Sequence, residues 1–183
     1  MNTKNILPYA AITLTLALGF LIGCSSQPKS PDVAGAIRQS LNQAGLNDVS
    51  VSQDRDKGVV TLDGHVPDEP SKAQAETIAR SNAAGQVVAN EIAVIPQGVE
   101  SDAKKVNSDL DDGIKKNLDA ALIQNNLQKA VKYDVKNGVV TLSGDVRSEA
   151  RRSSAAAIAS GVPNVLQVVN ELQVKDQKAT STN

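Results

Sequence analysis

Apolar positions along the chain follow two rhythms in turn, and the whole cycle is written twice. Val33, Ile37, Leu41 and Ala44 recur at three to four residues and predict an amphipathic helix. Ser30-Pro31-Asp32 reads as its start, with a hydroxyl cap, a first-turn proline and an acid at the positive dipole end. Gly45 reads as its stop. The rhythm then changes to two. Val49 and Val51 alternate with polar residues, Asp56-Lys57-Gly58 turns the chain, and Val59 to Val66 completes an antiparallel hairpin. In that second strand Val60, Leu62 and Val66 share one face, and Thr61, Asp63 and His65 share the other. Gly64 falls on the apolar face, where a missing side chain is expected to admit a helix backbone. Pro67-Asp68-Glu69-Pro70 opens a second helix with Ala75, Ile78 and Ala79 inward and Gly85 beyond its end. A third strand follows from Val87 to Ile95. Asn90 lies in its apolar parity and is expected to act as a hydrogen-bonded clamp to a neighbouring loop, with a ligand site as the alternative.

The heptapeptide Gly58-Val59-Val60-Thr61-Leu62-Asp63-Gly64 returns 80 residues later as Gly138-Val139-Val140-Thr141-Leu142-Ser143-Gly144. Ile78-Ala79 returns as Ile158-Ala159, and Asn90-Glu91-Ile92 as Asn170-Glu171-Leu172. In the first helix Ile37 and Leu41 match Ile114 and Leu118, 77 residues on, which implies about three extra residues around Gln124 to Leu127 in the second copy. A phase kept this long marks a duplicated domain. The second copy is expected to begin at a Ser108-Asp109 cap, with Lys115 and Lys116 projecting from its first helix. Val131, Tyr133 and Val135 form its first strand, Asn137-Gly138 a type I′ turn, and Ser148-Glu149 the cap of a helix bearing Arg151 and Arg152. Its last strand is Val168 to Val174.

The fold class is therefore α+β: two tandem domains, each helix–strand–strand–helix–strand, with a three-stranded mixed sheet and both helices on one face. The domains span 32–96 and 108–175, joined by a polar linker over 97–107 that Ala103, Val106 and Leu110 would let the next helix invade. Residues 24–31 form a tether and 176–183 a polar tail.

Composition adds two restrictions. Only Tyr9, Phe20 and Tyr133 are aromatic, and two of these lie in the N-terminal apolar run, so no row of stacking platforms for bases exists. The net charge of −1 supplies no general attraction for nucleic acid. It is unevenly spread: residues 25–100 hold 6 basic and 10 acidic groups, and residues 101–183 hold 12 and 10.

Residues 1–23 have the form of a secretory signal peptide: Lys4, then an apolar run from Ile6 that is too short to span a bilayer comfortably. It ends in Leu21-Ile22-Gly23-Cys24, which resembles a bacterial lipobox. That resemblance implies diacylglycerol on the sulfur of Cys24, cleavage before it and acylation of the new amino terminus. Ser25 in place of an aspartate favours the outer membrane, with the protein facing the periplasm.

Catalytic signals are lacking. His65 is the lone histidine, Cys24 the lone cysteine, and no glycine-rich phosphate loop or metal-spaced cluster occurs. The acids Asp109, Asp111 and Asp112 are explained by a helix start, with calcium as the remote alternative. No enzyme, no metal and no cofactor beyond the covalent lipid is expected.

Both copies, with Gly-Val-Val-x-Leu-x-Gly, a capped helix and a Val-x-Asn-x-Ile/Leu strand, resemble the BON (bacterial OsmY and nodulation) domain. With the lipobox, the chain is similar to dual-BON envelope lipoproteins. The resemblance implies a non-enzymatic periplasmic module tied to envelope integrity, osmotic stress and phospholipid binding. It also implies anionic-lipid contact by the first helix of the second domain, which here carries Asp109, Asp111, Asp112 and Asp119 beside Lys115 and Lys116. Charge and helix position make Lys115, Lys116, Arg151 and Arg152 the candidate lipid contacts. The other reading is a docking module for an envelope protein, although Thr61, Asp63, His65, Thr141, Ser143 and Asp145 give the exposed sheet faces no apolar patch.

Overall fold

The computed structural model describes residues 28–174. The signal peptide, residues 24–27 of the tether with Cys24 among them, and the tail lie outside the described residues. Each half forms the expected sandwich. In the first, α1 (Ala34–Gln43), β1 (Val49–Asp54), β2 (Val59–Val66), α2 (Glu69–Asn82), β3 (Val87–Asn90) and β4 (Ala93–Val94) follow one another. In the second come α3 (Glu100–Gln124), β5 (Val131–Lys136), β6 (Val139–Val146), α4 (Glu149–Ser160), β7 (Gln167–Asn170) and β8 (Gln173–Val174). β2 pairs antiparallel with β1 and parallel with β3 and β4; β6 does the same with β5, β7 and β8.

Two cores result. Ile37, Leu41, Val60, Leu62 and Ile92 are fully enclosed in the first, and Leu118, Leu122, Val140, Leu142 and Leu172 in the second. The inward helix positions Ala75, Ala79, Ala155 and Ala159 are small, so α2 and α4 lie close to their sheets. Asp68 caps α2 by accepting from the Ser71 N–H at 2.8 Å, and Ser148 caps α4 through the Arg151 N–H at 3.3 Å.

The third strand is broken into two in each half, where one was expected. Gly64 and Gly144 adopt φ of +115° and +116° and lift β2 and β6 out of regular pairing opposite the break. The close neighbour is the chain entering β1 or β5, not a helix. A Cβ on Gly64 would stand 2.0 Å from the Asp48 carbonyl oxygen, and one on Gly144 2.5 Å from that of Ala130. Within the break, the Asn90 carboxamide accepts from the Ile92 N–H at 3.4 Å and donates to Glu76 at 2.9 Å. Asn170 accepts from the Leu172 N–H and donates to the Arg152 carbonyl, both at 3.2 Å. Asn90 and Asn170 thus clamp strand to helix.

Three further expectations change. α1 begins at Ala34, and its leading N–H groups are capped from β1: Gln53 Oε1 accepts from Val33 at 3.1 Å and Ala34 at 3.4 Å. The 97–107 segment, expected as a linker, is mostly helix, because α3 starts at Glu100; Ser108 and Asp109 lie within it and cap nothing. The helix correspondence also moves by one turn. Leu46 N–H bonds Leu41 O and Leu127 N–H bonds Leu122 O, both at 2.9 Å, which matches Ile37 to Leu118 and Leu41 to Leu122. A helical stripe repeats after four residues, so sequence matching alone slips by a turn without penalty. The second copy in fact has one extra residue before its first strand and a hairpin loop two residues shorter.

Candidate functional surfaces

The predicted cations sit on α3 and α4, which pack side by side over the inner face of the second sheet. Lys116 and Arg151 are exposed and make no ion pair among the described residues. Lys115 is half-exposed and lies 3.6 Å from Asp112; Arg152 lies 3.6 Å from Glu149. Cys24 is outside the described residues.

Sequence reasoning misplaced the acids. With α3 beginning at Glu100, Asp111 stands three turns inside the helix and cannot answer its dipole. It is buried, and its two carboxylate oxygens accept from the Asn137 N–H at 2.7 Å and the Gly138 N–H at 2.9 Å. It therefore fastens α3 to the β5–β6 turn. Among the described residues no group of His, Cys, Asp and Glu could hold a metal ion.

The early start of α3 also builds a surface that composition did not suggest. Val106 and Leu110 are exposed and, being four residues apart, form one stripe along the helix, with exposed Val99 at its N-cap. Leu110 borders a cleft of about 210 Å³ between the halves, with Val94 of β4 and with Leu166, which is 73% exposed. On the opposite flank of α3, Lys104, Lys115 and Lys136 line a second, shallower cleft with His65, Asp63 and Asp111. Lys104 and Lys136 were not among the predicted cations. Helical spacing would have found Lys104 had the helix been extended; Lys136 is brought in by the packing of one half on the other.

That packing uses the outward faces of both sheets. Val59, Ala89, Val139 and Val169 meet in a small buried cluster. The reading of those faces as wholly polar began two residues too late, at Thr61 and Thr141, and so missed Val59 and Val139. Around the cluster the Gln167 amide spans the outer edge of β3. It donates to the Val88 carbonyl at 2.7 Å and accepts from the Asn90 N–H at 3.1 Å. Asn137 donates to the Glu91 carbonyl at 2.7 Å, and Lys57 pairs with Glu171 at 2.7 Å. Lys136 donates to Asp63 and lies 3.8 Å from Glu91. Burial pushes the Glu91 carboxyl above the usual carboxylate range; Lys136 opposes this, while the negative charges of Asp63, Asp134 and Asp111 reinforce it. Burial also acts on Asp63, but the bonds from Lys136 and the Gly64 N–H outweigh it and hold that carboxyl below its ordinary value.

No described helix is long and apolar enough to cross a membrane. Comparison with known proteins agrees with the duplicated architecture. The family model for the BON domain matches residues 30–96 and 110–176. Osmotically-inducible protein Y of Escherichia coli (strain K12) is 39% identical over 88 residues, covering 46% of this chain and 44% of that protein. The match thus spans less than half the length of that relative. Among solved structures, the C-terminal domain of CdsD, the structural protein of the type III secretion system of Chlamydia trachomatis, aligns over 78% of this chain and 67% of its own. Its identity is 14% and its TM-score 0.32, too low for a shared overall arrangement. Two family matches, each falling on one observed sandwich, settle the assignment: the chain belongs to the BON-domain family and carries two BON domains in tandem.

Proposed function

We propose that the chain is a non-enzymatic lipoprotein of the outer membrane. In this reading it is anchored through acylated Cys24, faces the periplasm, and its second BON domain rests on anionic phospholipid. The observation that carries this reading is α3. It exposes the apolar residues Val106 and Leu110, with Val99 at its N-cap, and on other faces of the same helix the cations Lys105 and Lys116, with Lys104 and Lys115 on the flank away from the apolar stripe, a mixture with which an amphipathic helix lies in a membrane interface. Arg151 and Arg152 on the adjacent helix extend the basic area. Each such side chain near an anionic surface contributes on the order of 1 kcal/mol. That is weak for a free domain and sufficient for one already confined by acyl chains. The likeness to a protein named for osmotic induction, together with the family, supports a role in envelope integrity under osmotic stress.

Vesicle flotation tests the proposal. The form lacking residues 1–24 is expected to float with anionic vesicles and not with neutral ones, and to lose binding as salt rises. Lys115→Glu with Lys116→Glu should abolish it. Retention of binding in that variant would exclude α3 as the contact. Failure of the parent form to float, with recovery of one defined envelope protein, would favour the docking module instead.

A further inference from the structure

The two halves touch through few apolar atoms and several charged ones. Val59, Ala89, Val139 and Val169 are the whole of the buried apolar cluster between them. It is flanked by Lys57–Glu171 on one side and by Lys136 with Asp63 and Glu91 on the other. Each half brings both signs: a cation and two anions from the first, a cation and an anion from the second. Closure places Asp63 and Glu91 in one partly dry region, and Lys136 is the cation that offsets their repulsion. The lysines are 40% and 42% exposed and Asp63 is 43% exposed, so dissolved ions reach every pair from at least one side. The distance over which charges are felt falls from about 10 Å at 0.1 M salt to about 3 Å at 1 M. Small, polar contacts between domains are the kind that open. The covalent connection here is short: β4 ends at Val94 and α3 starts at Glu100; α3 packs mainly on β5 and α4 of its own half and makes a smaller contact with β4 of the first.

We propose that this contact is a clasp gated by ionic strength. The halves stay face to face in dilute salt and swing apart about the 95–99 connection as salt rises, uncovering the four apolar residues. Screening weakens both flanks together, because every charged bond across the contact joins opposite signs. The amide bonds of Gln167 and Asn137 carry no net charge and bring the halves back into register when salt falls. The inference does not depend on membrane binding, and its test contains no lipid.

Spin labels report the opening. One label is placed at Gln74→Cys on α2 and one at Ser154→Cys on α4, both exposed sites, in the full chain with Cys24→Ser. Dilute NaCl should give one distance population, and about 1 M NaCl a second with altered separation. Sucrose at matched osmolality should leave the first population unchanged. Lys57→Gln with Lys136→Gln should show the second population already in dilute salt, with unaltered circular dichroism. The swap Lys57→Glu with Glu171→Lys, made in the parent, should keep a salt-sensitive closed form. A single distance at all salt concentrations overturns the proposal. So does an equal response to sucrose, or a double lysine variant that stays closed in dilute salt.

Discussion

The two BON domains solve one local problem in different ways. In each, the residue leading into the first helix must meet the turn of the following hairpin. Counted back from the matched helices, Ser30 and Asp111 hold the same place. In the first domain Pro31 forbids helix at Ser30 and the chain enters extended. The Ser30 N–H donates to the Arg55 carbonyl at 2.9 Å, and Arg55 Nε returns a bond to the Ser30 carbonyl at 2.7 Å. In the second domain Asp112 stands where Pro31 would, the helix continues upstream, and Asp111 grips the turn with its side chain. The hairpins differ to match. Asp54 organises a four-residue loop through the Asp56 and Lys57 N–H groups, whereas Asn137 and Gly138, at φ of +48° and +78°, make a two-residue turn. One proline thus decides whether the entry is a strap or a rod.

Substitutions at matched positions test the contrast between the two domains. The largest effect is expected at the shared glycine. Gly64→Ala combines a positive φ with contact on the Asp48 carbonyl, and it should cost more than about 3 kcal/mol, since backbone strain alone accounts for up to about that. Gly144→Ala, with a looser approach, should cost less. Chemical denaturation of each variant gives the order. Asp111→Ala leaves two N–H groups without their charged acceptor and should cost about 2–3 kcal/mol. Ser30→Ala should be close to neutral, because the Ser30 hydroxyl makes no hydrogen bond among the described residues; equal losses at the two sites would show that both domains hold the turn through a side chain.

Next in size is the response to acid. The carboxyls of Asp54, held down by the Lys57 N–H, and of Asp63 are lowered, so the stability they add is complete above the ordinary carboxylate pKa of about 4 and is lost as pH falls through their folded values. The Glu91 carboxyl is raised, so its ionised form weighs against the folded state and protonation removes that penalty. Thermal midpoints should therefore hold or rise slightly between neutral pH and about 5, then fall below about 4. Glu91→Gln should flatten the upper part of the profile and leave the acid fall in place.

Smaller effects test the contact between the domains. Gln167→Leu removes two bonds to the edge of β3 and should cost about 1–2 kcal/mol. Val87 holds the matching position in the first domain, is 49% exposed, and makes no such bonds to β7. Val87→Gln should add up to about 1 kcal/mol by building the missing counterpart. A melting point unchanged by Val87→Gln would mean that the halves meet less symmetrically than their sequences repeat.

The sequence disclosed each domain separately because periodicity and turn chemistry are local. The second helix of each copy was legible from Asp68, Ser148 and the buried alanines, and the hairpins from the Val-Val-x-Leu run and Asn137-Gly138. What depended on distant partners was not. The cap on α1 is a glutamine from a strand, the break in the third strand follows from a glycine on its neighbour, and Asp111 was indistinguishable from an ordinary helix-start acid. The apolar cluster between the domains was hidden for a related reason. Val59 and Val139 share the parity of Thr61 and Thr141, but a lone valine on an otherwise polar face names no partner until the two sheets meet. The predicted cations Lys115, Lys116, Arg151 and Arg152 are on accessible helices, while Lys104 and Lys136 join them only through tertiary packing.

The stitching of Ser30 to Arg55 has a mechanical consequence. Cys24 precedes Ser30 by six residues, and at about 3.5 Å per residue the leash between them extends no more than about 20 Å. A chain held by lipid at Cys24 would keep its first domain within one domain's breadth of the bilayer. It would patrol a thin shell over the membrane, and a partner deeper in the periplasm would have to come to it.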